Sequence, residues 1–292
     1  MTDFAFHQPG IVGTGRVAQA LAVAFAAHAT SPPLVWGRNL DSARAAAKRV
    51  GGTAVPTIDR LTAECDIIAI AVADDALEAV AADMAPLCVP RRAPFIFHVS
   101  GRSDAAVLEP LRRAGARTAA IHPAMTFTGN PEIEARRMAT ARFAVTGSTA
   151  EAAGLAKNLV ALLGGVAVEI AADRRTLYHA ALCHASNHLV TLIAGASHAL
   201  EDAGVDDPGA LLAPLVRAAL ENSLAQGLAG LSGPLLRGDR RTIAGHLETI
   251  AAHSPDLLPA YRAMARATLD ALENDGRPVD AELDGLLSAP RS

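Results

Sequence analysis

The sequence predicts an α/β domain, a doubly wound sheet with helices on both faces, followed by an all-α C-terminal domain. Over the first 172 residues, short β-type apolar runs alternate with helical stretches, the pattern of a parallel sheet with crossover helices. The run DIIAIAVA over 66–73 is continuously apolar, as in a strand buried on both faces. From Ala171 onward no convincing strand appears. A chain of 292 residues suits two domains, expected at 1–172 and 173–292 with a cleft between them.

Gly10, Ile11 and Val12 read as the end of a first strand, and 16–28 as an alanine-rich helix without Gly or Pro. PLVWG at 33–37 reads as the second strand, after which Asp41 is expected to cap a helix to Val50. A short strand at 53–55, the apolar run at 66–73 and a helix at 75–84 follow. Further strands are expected at 95–99, 118–121, 143–145 and 166–170, punctuated by Gly101, Pro123, Gly147 and Gly164-Gly165. Long helices are expected at 174–203, 208–230, 239–253 and 256–273.

Composition narrows the function. A net charge of −4 and only 10 aromatics (one Trp, two Tyr, seven Phe) offer neither a basic field nor stacking platforms for nucleic acid. No apolar run approaches the roughly 18 residues of a membrane span, and the first ten residues lack a basic leader, so a cytoplasmic location is expected. Cys65, Cys88 and Cys183 sit singly in or beside apolar stretches and read as buried thiols. Only Lys48 and Lys157 are lysines among 26 basic residues, so proton transfer must come from other groups or these two.

Gly10-Ile11-Val12-Gly13-Thr14-Gly15-Arg16-Val17-Ala18 places GxGxxA between a strand and a helix. Gly13 allows a tight turn, Gly15 close approach of backbone to a pyrophosphate, and Ala18 close helix packing; the helix N-terminus supplies free N–H groups. This is a Rossmann dinucleotide fingerprint. At the second strand's end, Trp36-Gly37-Arg38-Asn39 lacks the acidic residue of an NAD site, and Arg38 favours a ribose 2′-phosphate, hence NADP(H). Ala73 and Asp74 end the fourth strand, where the nicotinamide half would run; Asp74 and Asp75 also suit capping of the next helix.

The carboxyl ends of later strands carry the chemistry candidates. His98 and Ser100 alternate onto one face of a strand tip, and His122-Pro123 closes the next. A strand-tip histidine suits hydrogen bonding to a substrate oxygen or proton donation, and equally a structural bond to a loop carbonyl. On the first long helix, Cys183, His184, Asn187 and Thr191 share one sector, with His188 at its border. Asn187 and His184 are read as substrate contacts; His184 and His188 have i, i+4 metal spacing, but no carboxylate accompanies them and no metal is expected. Arg237, in GPLLRGD at 233–239, suits a substrate carboxylate, and Asp239 a helix N-cap.

The segments GIVGTGRVA, HVSG (98–101), AIHPAMTFTG (120–129), LYHAALCHASNHLVTL (177–192) and GPLLRGD resemble an uncharacterised subfamily of Rossmann-like oxidoreductases with a C-terminal domain of unknown function. That subfamily is similar to the clan of 6-phosphogluconate dehydrogenase, ketopantoate reductase and prephenate dehydrogenase, and implies a helical domain of the 6-phosphogluconate dehydrogenase type, closing over the nicotinamide. Relatives using a helical-domain lysine as acid or base place it near an asparagine; here Cys183 stands four residues before Asn187, and no lysine follows Lys157. No Tyr-x-x-x-Lys of short-chain dehydrogenases is present either. Ser100 and His122-Pro123 look more like the strand-tip serine and histidine of prephenate dehydrogenase.

The resemblance implies NADP(H)-dependent hydride transfer to or from a small carbonyl, hydroxyl or imine substrate, and the low aromatic content favours an aliphatic acid over a large ring. His122 is expected as proton donor or oxygen ligand, Ser100 as its partner, and a homodimer through the helical domains. Ketopantoate-reductase-like or deazaflavin-reducing activity are alternatives, as are a non-catalytic NADP sensor and an association scaffold.

Overall fold

The computed structural model describes residues 5–88 and 93–288, and the chain divides into two units, 1–183 and 184–292. The outermost stretches of the two expected domains, 1–4 and 289–292, lie outside the described residues. The expected boundary at 172/173 precedes the long helix, whereas the division falls inside it.

The first unit runs β1 (Pro9–Val12), α1 (Arg16–Ala26), β2 (Leu34–Trp36), α2 (Leu40–Val50), β3 (Thr53–Ala54), α3 (Asp59–Glu64), β4 (Ile67–Ile70) and α4 (Asp74–Met84). It continues through β5 (Phe95–His98), α5 (Glu109–Arg113), β6 (Arg117–Pro123), α6 (Pro131–Met138), β7 (Arg142–Gly147), α7 (Ala150–Leu162) and β8 (Val166–Glu169). The eight strands form one sheet in the order β3-β2-β1-β4-β5-β6-β7-β8, whose first six positions are the Rossmann order. One strand departs from the expected parallel sheet: β7 pairs antiparallel with β6, and β8 again parallel with β7. The connection through α6 turns back to start β7 at the end where β6 finishes, so the direction reverses.

Period-two alternation makes the sheet doubly wound. Ile11, Ile67, Ala69, Phe95 and Phe97 face one core with α1 and α7, while Val12, Ile68, Ile70 and Ile96 face the other with α4. Each fully buried Ile or Phe side chain contributes about 1.5–3 kcal/mol relative to exposure, so the central strands anchor the strand tips rigidly.

The α2 cap is Asn39, which accepts from Ser42 N–H at 2.9 Å, while Asp41 pairs with Arg44 at 3.0 Å. Only Cys65 is fully buried; Cys88 and Cys183 are partly exposed.

Helix α8 (Arg175–Asp202) starts in the first unit and leads into the second, which adds α9 (Pro208–Gln226), α10 (Arg240–His253), α11 (Leu258–Asn274) and α12 (Ala281–Ser288). Its described residues contain no strand. Asp207 and Asp239 cap α9 and α10 through Ala210 and Thr242 N–H groups. Ile243, Leu247, Leu258, Ala265, Leu269 and Leu283 form its small core. No helix among the described residues is long and apolar enough to cross a membrane.

Candidate active site

The carboxyl ends of β1, β2 and β4 enclose a cavity of about 220 Å³ lined by Gly13, Thr14, Gly15, Arg38, Ala73 and neighbouring residues. Gly13 holds φ at +127°, and a Cβ there would lie 2.3 Å from the Ala71 carbonyl oxygen. The glycine therefore lets the loop cross β4 while its N–H donates to Trp36 O at 2.8 Å. At Gly15 a Cβ would meet nothing within 4 Å, leaving open space at the helix start. Gly15 caps α1 with no side-chain bond, and no acidic residue occupies the first turn, so the N–H groups at Arg16 and Val17 suit an anion.

Arg38 is exposed on the wall of that cavity and has no ion pair or hydrogen bond among the described residues. Arg16, by contrast, donates to Phe127 O at 3.3 Å, which ties the α1 start to the loop after β6. Asp74 stands in the first turn of α4 and pairs with Arg102 at 3.2 Å.

A second group of side chains gathers beyond β5 and β6. His98 is fully buried; its Nδ1 accepts from Ser100 N–H at 3.1 Å, which fixes the proton on Nε2, the donor to Asp104 O at 2.8 Å. Burial pushes His98 down to about 4 and keeps it neutral. This histidine shapes the Ser100 turn. Ser100 Oγ accepts from Ser103 N–H at 3.2 Å, and its carbonyl accepts from Arg175 Nη2 at 2.8 Å.

His122 and Ser100 are brought to adjacent strand tips, but no hydrogen bond joins them. The partner of His122 is Tyr178, whose phenol oxygen lies 2.9 Å from Nδ1 with the rings edge-on at 86°. His179 sits edge-on to His122 as well, at 5.9 Å between ring centres, and approaches Cys183 Sγ at 3.7 Å. Gly101 permits this crowding: a Cβ there would lie 2.4 Å from His179 Cδ2 and 3.0 Å from His122 Nε2. Burial, then His179 and Arg175, hold His122 down at about 4. Burial raises the Tyr178 phenol, with Arg175 opposing.

Arg175 is fully buried and forms no ion pair among the described residues, although Asp104 acts on it at longer range. Its Nη1 donates to Thr146 Oγ1 at 3.1 Å and its Nε has no partner. Burial pushes its guanidinium pKa down. Arg175 escaped the sequence reading, and Tyr178 and His179 entered it only within the 177–192 segment without a role, although their i, i+3, i+4 spacing puts the three on one face of α8.

The expected substrate contacts lie in the second unit. His184 and Asn187 are exposed on α8; His184 Nδ1 is 3.0 Å from His188 Nδ1, and Asn187 Oδ1 accepts from Ser186 Oγ at 3.1 Å. Arg237 is exposed in the turn before α10. No group of three or more metal-ligating side chains occurs among the described residues.

Residues 4–123 match the Rossmann-like domain family, and residues 141–268 match DUF2520, a domain of unknown function. No curated protein matches the chain significantly. Among solved structures, a Bacteroides fragilis protein assigned as an NADP oxidoreductase shares 19% identity at a TM-score of 0.74, covering 90% of this chain and 97% of its own. Plasmodium falciparum pyrroline carboxylate reductase with NADP bound shares 14% identity (TM-score 0.61; 97% and 98% covered). A reductive aminase from Aspergillus terreus, in complex with NADPH and ethyl-5-oxohexanoate, shares 19% identity (TM-score 0.65; 97% and 98% covered).

Proposed function

For a chain that joins a Rossmann-like domain to DUF2520, we propose an NADP(H)-dependent oxidoreductase acting on a small carbonyl, hydroxyl or imine substrate, with an aliphatic acid favoured. The observation that carries this reading is the strand-tip cavity, where Gly13 crosses against the Ala71 carbonyl and an unpartnered Arg38 stands on the wall. Such a cradle fits a dinucleotide: the Gly15 and α1 N–H groups would hold the pyrophosphate and Arg38 the ribose 2′-phosphate. Bound there, NADPH supplies a hydride. NADP and NADPH in the pyrroline carboxylate reductase and reductive aminase structures support the choice of cofactor and the inclusion of imines among substrates.

His122 is the proposed proton donor to the substrate oxygen or nitrogen. Ser100, beside it at the β5 tip, lines the same end without bonding to it. Asn187, His184 and Arg237 are proposed as substrate contacts, so Asn187→Ala should raise KM more than it lowers kcat. Exposed Val190 (70%), Leu215 (67%) and Leu224 (80%) on α8 and α9 support a homodimer through the helical unit, which Leu215→Asp with Leu224→Asp should make monomeric in light scattering.

The deciding experiment is a fluorescence titration of NADPH and NADH into wild type and Arg38→Ala. Wild type should prefer NADPH by at least about tenfold, about 1.4 kcal/mol, and the variant should lose that preference. Absence of binding by either nucleotide would sink the proposal; tight NADPH binding without turnover across 2-oxoacids and cyclic imines would make the protein a sensor.

A further inference from the structure

Resting on the oxidoreductase reading, a question arises at His122: reduction of a carbonyl or imine consumes a proton, yet near neutral pH this histidine is an imidazole with one proton to give. It can give that proton only if it receives another in the same event. Its surroundings are Tyr178, His179 and Arg175 from α8, His98 from β5 and Asp74 from α4. His98 is tied at both nitrogens to backbone, Asp74 is paired with Arg102, and His179 meets His122 ring edge to ring face. Among the described residues, Tyr178 alone hydrogen-bonds a His122 nitrogen, 2.9 Å from Nδ1.

We propose that Tyr178 is the proton reservoir of the site, acting through His122, and that Arg175 holds the resulting tyrosinate. In this assignment the phenol O–H donates to Nδ1 and the His122 proton sits on Nε2, the ring nitrogen packed beside Gly101. As the substrate C=O or C=N gains a hydride at carbon, its π electron pair takes the Nε2 proton. The N–H bond at Nε2 breaks, a new one forms at Nδ1, and the Tyr178 O–H bond breaks; imidazole stays neutral throughout. The negative charge ends on the phenol oxygen and is cancelled when water returns a proton. The buried guanidinium of Arg175, three residues away on α8, forms no ion pair among the described residues and feels Asp104 only at longer range; it supplies the positive charge that such an anion requires. Tyr178 is thus a positioning and proton-supplying residue, distinct from the group that touches substrate.

The chain's two tyrosines make the reservoir directly measurable. Tyr261→Phe, a change in the second unit, leaves Tyr178 as the sole phenol, whose ionisation is followed by near-ultraviolet absorbance without any nucleotide. Adding Arg175→Met should raise its midpoint by about one pH unit or more; an unmoved midpoint overturns the assignment. Arg175→Met can also fail to fold, so the second arm uses Tyr178→Phe, which keeps the ring. With NADPH and a panel of 2-oxoacids and cyclic imines, this variant should lose about 100-fold in kcat, keep its KM for NADPH and lose the solvent deuterium isotope effect. Wild-type kcat, pH profile and isotope effect in Tyr178→Phe overturn the inference alone. A wild type that binds NADPH but turns over nothing overturns the enzymatic reading and the inference with it.

Discussion

At the β1, β2 and β4 tips the backbone makes a cavity, whereas at the β5 and β6 tips side chains from distant segments make a packed cluster. The first end is open: Gly15 faces empty space and Arg38 is free of partners among the described residues. The second end is closed: His98, Ser100 and Arg175 are buried, and His122 is engaged by Tyr178 and His179. A backbone cradle suits a ligand whose phosphates repeat from protein to protein. A side-chain cluster with depressed histidines suits a reaction that must control one proton.

The largest effects come from filling the two glycines that permit each end. At Gly13 a Cβ meets backbone, the Ala71 oxygen at 2.3 Å, in a conformation disfavoured for L residues. Gly13→Ala should cost roughly 3 kcal/mol of stability and more than about 100-fold in NADPH affinity, read by urea melts and fluorescence titration. At Gly101 the nearest obstacles are the His179 and His122 rings, which can swing aside. Gly101→Ala should therefore lose far less stability, near 1 kcal/mol, leave NADPH affinity within about threefold, and reduce turnover by about tenfold or more. Equal damage to binding by both variants would break the distinction between the ends.

The closed end also makes stability depend on pH. His98 has an ordinary value of 6.5 and is held at about 4 in the folded protein, so the unfolded chain takes up its proton first as pH falls. Stability is fully present above pH 6.5, declines between 6.5 and about 4, and levels off below. The buried His98 alone should remove on the order of 3 kcal/mol across that window. His122, lowered to about 4 but partly solvent-exposed, should add less in the same direction. Urea melts at several pH values check this, and His98→Gln should flatten the slope; a slope unchanged by that variant would mean that other groups set it.

How much of each end was legible in the sequence follows from how each is built. The cradle comes from contiguous residues, Gly13 to Val17, plus one strand end, so spacing alone located it. The apolar runs of β1, β4 and β5 carried the double winding, because both faces of each are buried. Strand direction was not legible: Phe143, Ala144 and Val145 read alike in either direction, and only the turn back through α6 makes β7 antiparallel. Among the described residues, the helices α3, α5, α6, α7 and α12 lie beyond the expected elements. His122 was found as a strand-tip histidine, but its partner stands 56 residues away on a helix. No local pattern distinguishes Tyr178 from any half-buried helix residue until the strand tip is placed beside it.

The smallest effect tests the same lesson within a single turn. Asp41 has the residue type and position expected of a helix cap, yet Asn39, two residues earlier, has the extended φ of −104° and ψ of 119° that a cap adopts and receives the Ser42 N–H. Asp41 lies inside the first turn, highly exposed and paired only with Arg44. Asn39→Ala should therefore lower stability by about 1 kcal/mol, while Asp41→Ala should change it by no more than a few tenths. Because Asn39 follows Arg38 directly, releasing the cap should also loosen the Arg38 backbone and weaken NADPH binding relative to NADH by about twofold. The reverse ranking in thermal melts, with Asp41→Ala the costlier change, would restore Asp41 as the cap and detach α2 from the 2′-phosphate end of the cradle.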